Sequence, residues 1–137
     1  MNTKRNRVMA SYTNIDASRF PLVTIIFTGV PSTDENFEQY LTEMKALYDS
    51  GEKLAIIFDA SNAALPSLKH QQRQASWLKK NDEMLKKQCL GTAYVVTSGA
   101  IRVVLRMIFA ITPQPVLHKI CSNIDDAEEW ALAQISA

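Results

Sequence analysis

The chain has 137 residues, of which 47% are hydrophobic and 21% charged. That suits one globular domain and excludes a disordered or two-domain chain. A net charge of +1 excludes the strongly basic footprint of a typical nucleic-acid binder. The longest apolar run, Val103 to Ile111, is broken by Arg106 and is too short to span a bilayer.

Residues 1–7 (MNTKRNR) are basic and have no apolar stretch behind them, so they are expected to form a flexible arm rather than a signal peptide. The domain is expected over 8–137. Val8–Tyr12 is a weak strand candidate, and Leu22–Thr28, rich in β-branched residues and closed by Gly29, is a stronger one. Ser32-x-x-Glu35 reads as a capping box opening a helix over about 33–50, with Gly51 as its stop. Phe37, Tyr40, Leu41, Met44, Leu47 and Tyr48 form its apolar stripe. Leu54–Asp59 has the continuous apolar run of a central strand covered on both faces. A second helix is expected over about 66–90, with Gly91 as its stop, followed by a strand over 92–97. Ser98 caps a third helix, Gly99–Ile111, which Pro113 and Pro115 end; a strand over 116–122 and a helix over 125–135 close the chain. The order β-β-α-β-α-β-α-β-α predicts an α/β fold: a mixed, mostly parallel sheet of about five strands covered by four helices.

Charge is uneven along this order. Residues 33–53 hold six acids against two lysines, and residues 69–87 hold six bases against two acids. Such helices serve either as plain solvated faces or as complementary surfaces for self-association or a charged partner. On a helical wheel, Leu68, Ala75, Leu78, Leu85 and Cys89 of the second helix should face the sheet. Lys69, Arg73, Lys80 and Lys87 fall within about 40° of one another on the other side. Trp77 and Met84 lie beside that basic stripe. There they form either a protein-binding hot spot or a cover over the rim of the core. The third helix is apolar nearly all round, with Arg102 and Arg106 as its narrow polar edge. Some of Val103, Val104, Met107, Ile108 and Ile111 should therefore be exposed in a monomer, inviting a homodimer first and a lipid contact second. The two arginines can clamp a carboxylate or phosphate, or pair with acids of the same chain.

Several landmarks resemble the SpoIIAA-like branch of the STAS family. Phe20-Pro21-Leu22-Val23 leads into a strand ending Phe27-Thr28-Gly29, and Thr33-Asp34 opens the first helix. Phe58-Asp59-Ala60 ends the third strand, Arg73-Gln74-x-x-Trp77-Leu78 lies in the second helix, and Pro113 and Pro115 precede the last strand. The resemblance covers nearly the whole chain. It implies a single regulatory or ligand-sensing domain of the anti-sigma-factor antagonist type, with Sec14-like lipid-binding domains as relatives. The phospho-switch members carry an Asp-Ser-Ser-Gly-type turn at the start of the second helix. Here the region reads Ala63-Ala64-Leu65-Pro66-Ser67-Leu68, which lacks the preceding Asp and the following Gly. Ser67, and less directly Ser61, remain the hydroxyls near the right place; each serves either as a phosphorylation site or as a plain cap or turn residue.

Asp59 and Ser61 stand at the carboxyl end of the central strand. Such residues either line a ligand crevice or satisfy backbone N–H groups in the turn. Cys89 and Cys121 form no disulfide framework and read as reduced core thiols, which implies a cytoplasmic location. His70 and His118 lack a second ligand at metal spacing, and there is no Gly-rich phosphate loop, nucleophile elbow or carboxylate dyad. The expectation is a regulatory or binding module without catalysis, cofactor or metal. It acts through a protein partner, including a second copy of itself; the alternative is a small-molecule or lipid carrier, in which the apolar third helix and the turn after Asp59 enclose a ligand in an apolar pocket. No nucleic-acid partner is expected.

Overall fold

The computed structural model describes residues 10–111 and 115–137. It is an α/β fold with one five-stranded sheet, in the order β1-β2-β3-β4-β5. The strands are β1 Thr13–Arg19, β2 Leu22–Phe27, β3 Leu54–Asp59, β4 Cys89–Val95 and β5 His118–Cys121. The helices are α1 Asp34–Ala46, α2 Leu68–Lys80, α3 Asp82–Gln88, α4 Gly99–Ile111 and α5 Ile124–Ser136. β1 runs antiparallel to β2, and the remaining neighbours pair in parallel.

Sequential strand order has a consequence for the layers. Parallel neighbours joined by right-handed crossovers put every crossover helix on the same face of the sheet. Accordingly α1, α2, α3 and α4 share one face, with a core that includes Val23, Ile25, Ile56, Phe58, Tyr94 and Val96. The opposite face carries α5 alone, packed over Leu22, Ala55, Ile57, Ala93 and Val95 through Ala127 and Ala131. Strand alternation sends Tyr94 and Val96 to one face and Ala93 and Val95 to the other.

The larger elements lie where the sequence placed them, and the differences have local causes. The first strand is Thr13–Arg19, later than the expected 8–12; of that segment Val8 and Met9 lie outside the described residues, as does the expected arm 1–7. α1 is capped by Thr33 and Asn36, not Ser32 and Glu35. Thr33 Oγ1 accepts from Asn36 N at 3.1 Å, and Thr33 N donates to Asn36 Oδ1 at 2.7 Å. Asn36 is buried and also donates to the Pro31 carbonyl at 3.0 Å, which fixes it at that position. After Ala46 the chain continues in turns to Gly51, whose φ of +78° ends the segment.

The long second helix is two helices. At Asn81 the backbone takes φ −105°, ψ 20°, and the side-chain amide donates to the Trp77 carbonyl at 2.9 Å. An Asn that competes for helix carbonyls in this way breaks the helix. The helical stretch then stops at Gln88, and Gly91 lies inside β4 rather than terminating a helix. What requires glycine there is Trp130, because a Cβ at Gly91 would stand 2.9 Å from the indole ring on the α5 face. β5 is shorter than expected, and the side of the last loop that holds Pro113 lies outside the described residues.

Candidate functional site

Between the sheet and the helices of the crossover face lies a cavity of about 110 Å³. Its floor is set by strand alternation: Phe27 of β2, Ile56 and Phe58 of β3, and Thr92 and Tyr94 of β4. The Phe58 and Tyr94 rings stack across the β3–β4 pair with centroids 5.1 Å apart and planes 9° apart, as residues in direct register can. Phe27 stacks on Phe58 from the next strand, with centroids 6.3 Å apart.

The roof and walls come mainly from three helices and one loop, with Leu85 of α3 and Tyr12, Tyr48 and Val116 of connecting segments added. α1 supplies Phe37, Tyr40 and Met44, α2 supplies His70, Gln71, Gln74, Trp77 and Leu78, and α4 supplies Ile101, Val104, Leu105 and Ile108. Ala60, Ala63, Ala64 and Pro66 extend the lining into the loop beyond the carboxyl end of β3. All four tyrosines of the chain (Tyr12, Tyr40, Tyr48 and Tyr94) line the cavity, and among the described residues no Asp, Glu, Lys or Arg does. Burial pushes the Tyr12 hydroxyl up to about 12 and raises Tyr40 and Tyr48 as well.

His70 is the most polar group in the wall. Its ring stacks on Phe37 with centroids 4.9 Å apart. Nδ1 lies 2.7 Å from Ser32 Oγ and Nε2 lies 2.9 Å from Asp34 Oδ1. Serine, imidazole and carboxylate thus form a hydrogen-bonded row, the order a nucleophilic hydrolase uses. Two features distinguish it from one. Ser32 is not part of the cavity lining, and Asp34 is 68% exposed and shared with Lys69 Nζ at 2.9 Å. The Lys69 ammonium, followed by His70, holds the Asp34 carboxyl below the usual carboxylate range. What the row does structurally is tie the start of α1 to the first turn of α2, with one wall of the cavity between them.

The residues singled out by sequence fall into three groups. Trp77 is a cavity wall, only 5% exposed, so of its two alternatives, an outward hot spot or a cover for the core, the structure shows the buried one. α2 is flanked by α1 and α4, and its buried surface is therefore wider than one sheet-facing stripe; Trp77 falls on a covered flank. Leu68 differs outright: it is 59% exposed in the first turn of α2 instead of facing the sheet. Met84 is half-buried against the core, and Lys80 is exposed.

A second group satisfies local structure. Ser61 donates to Asp59 Oδ1 through its hydroxyl at 2.6 Å and its backbone N at 3.1 Å. Ser18 makes the same pair of bonds to Asp16 at the end of β1, so this is a turn device used twice. Asp59 alternates with Phe58 along β3 and is outside the cavity. Ser67 is the N-cap of α2 and accepts from His70 N at 3.2 Å.

The third group is arginine. Arg73 is engaged by Glu38, its Nε donating at 2.6 Å and its Nη2 at 3.0 Å. Arg102 folds back so that Nη2 donates to the Val96 carbonyl at 3.2 Å, while Arg106 is exposed. Of the two alternatives for the α4 arginines, a clamp or pairing with acids, neither is formed by Arg102, whose Nη2 is engaged by the end of β4.

Sequence reasoning missed the contacts of His70 and Ser32, and it offered an apolar pocket beside the third helix only as the carrier alternative. A signal for the first was present. Asp34 and Glu38 are four apart, as are Lys69 and Arg73, so two parallel helices in contact would pair them at a constant offset and bring His70 beside Asp34. Among the described residues no group of three or more His, Cys, Asp or Glu could hold a metal ion, and no helix is long and apolar enough to cross a membrane. No family model matches the chain, and no curated protein matches it in sequence.

Proposed function

We propose that this domain is a non-catalytic binding module that takes a small apolar molecule into the cavity on its crossover face, as a sensor or carrier. One observation carries this reading: a space of about 110 Å³ walled mostly by aromatic and aliphatic side chains, with no charged group in its lining among the described residues. Apolar pockets with a few converging polar groups are the usual form of small-molecule sites. A dry apolar cavity of similar size, about 150 Å³, holds a benzene-sized guest. The cavity lies beside α4, the helix whose nearly all-round hydrophobicity calls for an apolar neighbour. The test is native mass spectrometry of gently purified protein, paired with titration of toluene. Extra mass that leaves on denaturation, or saturable toluene binding, supports the reading. A bare chain that takes up no toluene ends it.

A second reading, self-association of a regulatory module in the cytoplasm, is favoured by α4 as well. Val103 and Met107, four residues apart, are 51% and 45% exposed. Paired apolar residues on one exposed helix edge fit a second copy of the chain better than water. The resemblance to SpoIIAA-like regulatory domains belongs with this reading and rests on the strand-end landmarks. Its test is a dimer mass that dissociates on dilution and is abolished by Met107→Lys; a monomer at every concentration rejects it.

A further inference from the structure

Ser32, His70 and Asp34 form a row that ligand binding in the cavity does not account for. Ser32 Oγ lies 2.7 Å from His70 Nδ1, and His70 Nε2 lies 2.9 Å from Asp34 Oδ1. The order of the groups fixes the protons. An ionised carboxylate only accepts, so in the neutral ring Nε2 carries the proton and Nδ1 offers its lone pair to the Ser32 hydroxyl. The Lys69 hydrogen bond, followed by that of His70, holds the Asp34 carboxyl below its usual range, which keeps it an acceptor near neutrality. Packing holds the ring in place: the His70 side chain is 8% exposed and stacks on Phe37. Other serine hydroxyls meet weaker bases. Ser18 and Ser61 donate to the carboxylates of Asp16 and Asp59, and Ser136 donates to the Leu132 carbonyl.

We propose that Ser32 is an activated nucleophile that accepts an acyl group from a small activated ester, with His70 as its base and Asp34 as the positioning residue. In the step, Ser32 Oγ bonds to the acyl carbon and the ester C–O bond breaks. The serine proton passes through His70 Nδ1 to the departing oxygen, so the products are an acyl-serine and the free alcohol. A positioned base of this kind is worth about 10²–10⁴-fold in rate. α1 begins at Asp34, two residues after Ser32, so the positive end of its dipole favours the negative charge that develops on the acyl oxygen. Ser32 is half-buried and lies outside the cavity lining. An ester can therefore reach it from solvent, and the cavity does not hold that ester for turnover. The expected product is one acyl group per chain, whether or not the cavity is filled.

The test is incubation of the full chain with p-nitrophenyl acetate, read by intact mass and by mapping the acetylated peptide. One acetyl group on Ser32 is expected. It should be absent from the chain in urea, where the serine remains but the row does not, and absent from Ser32→Ala. His70→Asn should slow labelling of Ser32 by about 10²-fold or more, with a melt to show that the variant folds. Asp34 is 68% exposed, so Asp34→Asn should fold. Its amide lets the ring carry its proton on the Ser32 side, and its labelling rate should fall between the parent and His70→Asn. The direction of these changes separates activation from a purely structural tie. A tie that only joined α1 to α2 would release Ser32 when broken, and labelling would stay level or rise. That result, acetyl groups on lysines alone, or equal labelling of native and unfolded chain overturns the proposal. If His70→Asn does not fold, Asp34→Asn decides.

Discussion

Arg73 of α2 grips Glu38 of α1 with two donors, Nε at 2.6 Å from Oε2 and Nη2 at 3.0 Å from Oε1. One turn earlier on each helix, Lys69 reaches Asp34 at 2.9 Å. The offset is the same in both pairs, as expected for two helices side by side and running the same way after right-handed crossovers. Two of the six acids in 33–53 are therefore paired with two of the six bases in 69–87 within one molecule. Of the basic stripe, Lys69 and Arg73 already have carboxylates, while Lys80 and Lys87 remain exposed.

Both members of the Arg73–Glu38 pair are partly exposed, 39% and 53%, so solvent screening keeps its value small. Glu38→Gln should lower the unfolding free energy by about 0.5–1 kcal/mol in low salt, and less in high salt. Arg73→Glu alone should cost more than that, because it sets like charges together. The double reversal Glu38→Arg with Arg73→Glu should recover most of the loss. Urea unfolding of the four proteins checks this; a double variant no better than Arg73→Glu would remove the pairing from the account.

The same contacts make the fold sensitive to acid. The Lys69 hydrogen bond, followed by His70, depresses Asp34, and Arg73 depresses Glu38. A carboxylate whose folded pKa lies below its unfolded value binds protons more readily when unfolded. It therefore contributes stability above the unfolded value, and that contribution is lost as pH falls through the folded one. Stability should be level near neutrality and decline below about pH 4. Asp34→Asn should flatten that acid limb, as followed by thermal melts across a pH series. An unchanged limb in Asp34→Asn would show that the Asp34 contacts contribute nothing to it.

How far the sequence carries depends on how local each determinant is. The strands Leu54–Asp59 and Leu22–Phe27 and the helix Gly99–Ile111 were legible, because an apolar run bounded by turn residues needs no distant partner. Trp77 was left between two readings because a helical wheel assumes one buried side, whereas α2 lies between α1 and α4 and is covered on its flanks as well. Gly91 was misread as a helix stop because its cause, the ring of Trp130, comes from a helix about forty residues later in the chain. The cavity was legible only as an alternative, an apolar pocket beside the third helix, and its walls were not. It arises from side chains of three strands, four helices and the segments between them that alternation and crossover handedness bring to one face. Each of those residues separately reads as ordinary core.

Trp77 now carries a different prediction. As a cavity wall it stabilises the fold, so Trp77→Ala should cost about 3–5 kcal/mol and shift the melting temperature down by many degrees. A surface hot spot would instead leave the melt unchanged. The milder Trp77→Phe should keep the fold and still alter toluene binding, separating the wall role from folding. A stable, cooperative Trp77→Ala with native melting would return Trp77 to the surface.

On the opposite face the close contact of Gly91 with Trp130 sets a limit that is steric rather than conformational. A Cβ at Gly91 would meet the indole at 2.9 Å and the Gln134 side chain at 3.2 Å. Gly91→Ala should therefore destabilise by about 1–3 kcal/mol. The second change Trp130→Leu should make the same alanine nearly neutral. A Gly91→Ala cost that persists in the Trp130→Leu background would point to the strand backbone instead.

The buried tyrosines set the alkaline limit. Tyr12 is pushed up to about 12 by burial, and Tyr40 and Tyr48 are raised by the same cause. In the unfolded chain each phenol ionises near its usual value of about 10. A phenol whose folded pKa is raised holds its proton more tightly when folded. Its contribution is thus whole below pH 10 and is lost as pH rises from there towards the folded value. From Tyr12 alone the loss is roughly 2–3 kcal/mol across that window. Phenolate absorbance should therefore lag behind a free-tyrosine curve and then rise steeply, in step with the loss of far-ultraviolet circular dichroism. A saturating amount of phenol-free toluene, by filling the cavity and stabilising the folded state, should move both transitions together to higher pH. A smooth titration centred near pH 10 with the circular dichroism intact would mean that water and base reach these side chains freely, and that the closed aromatic cavity does not form in solution.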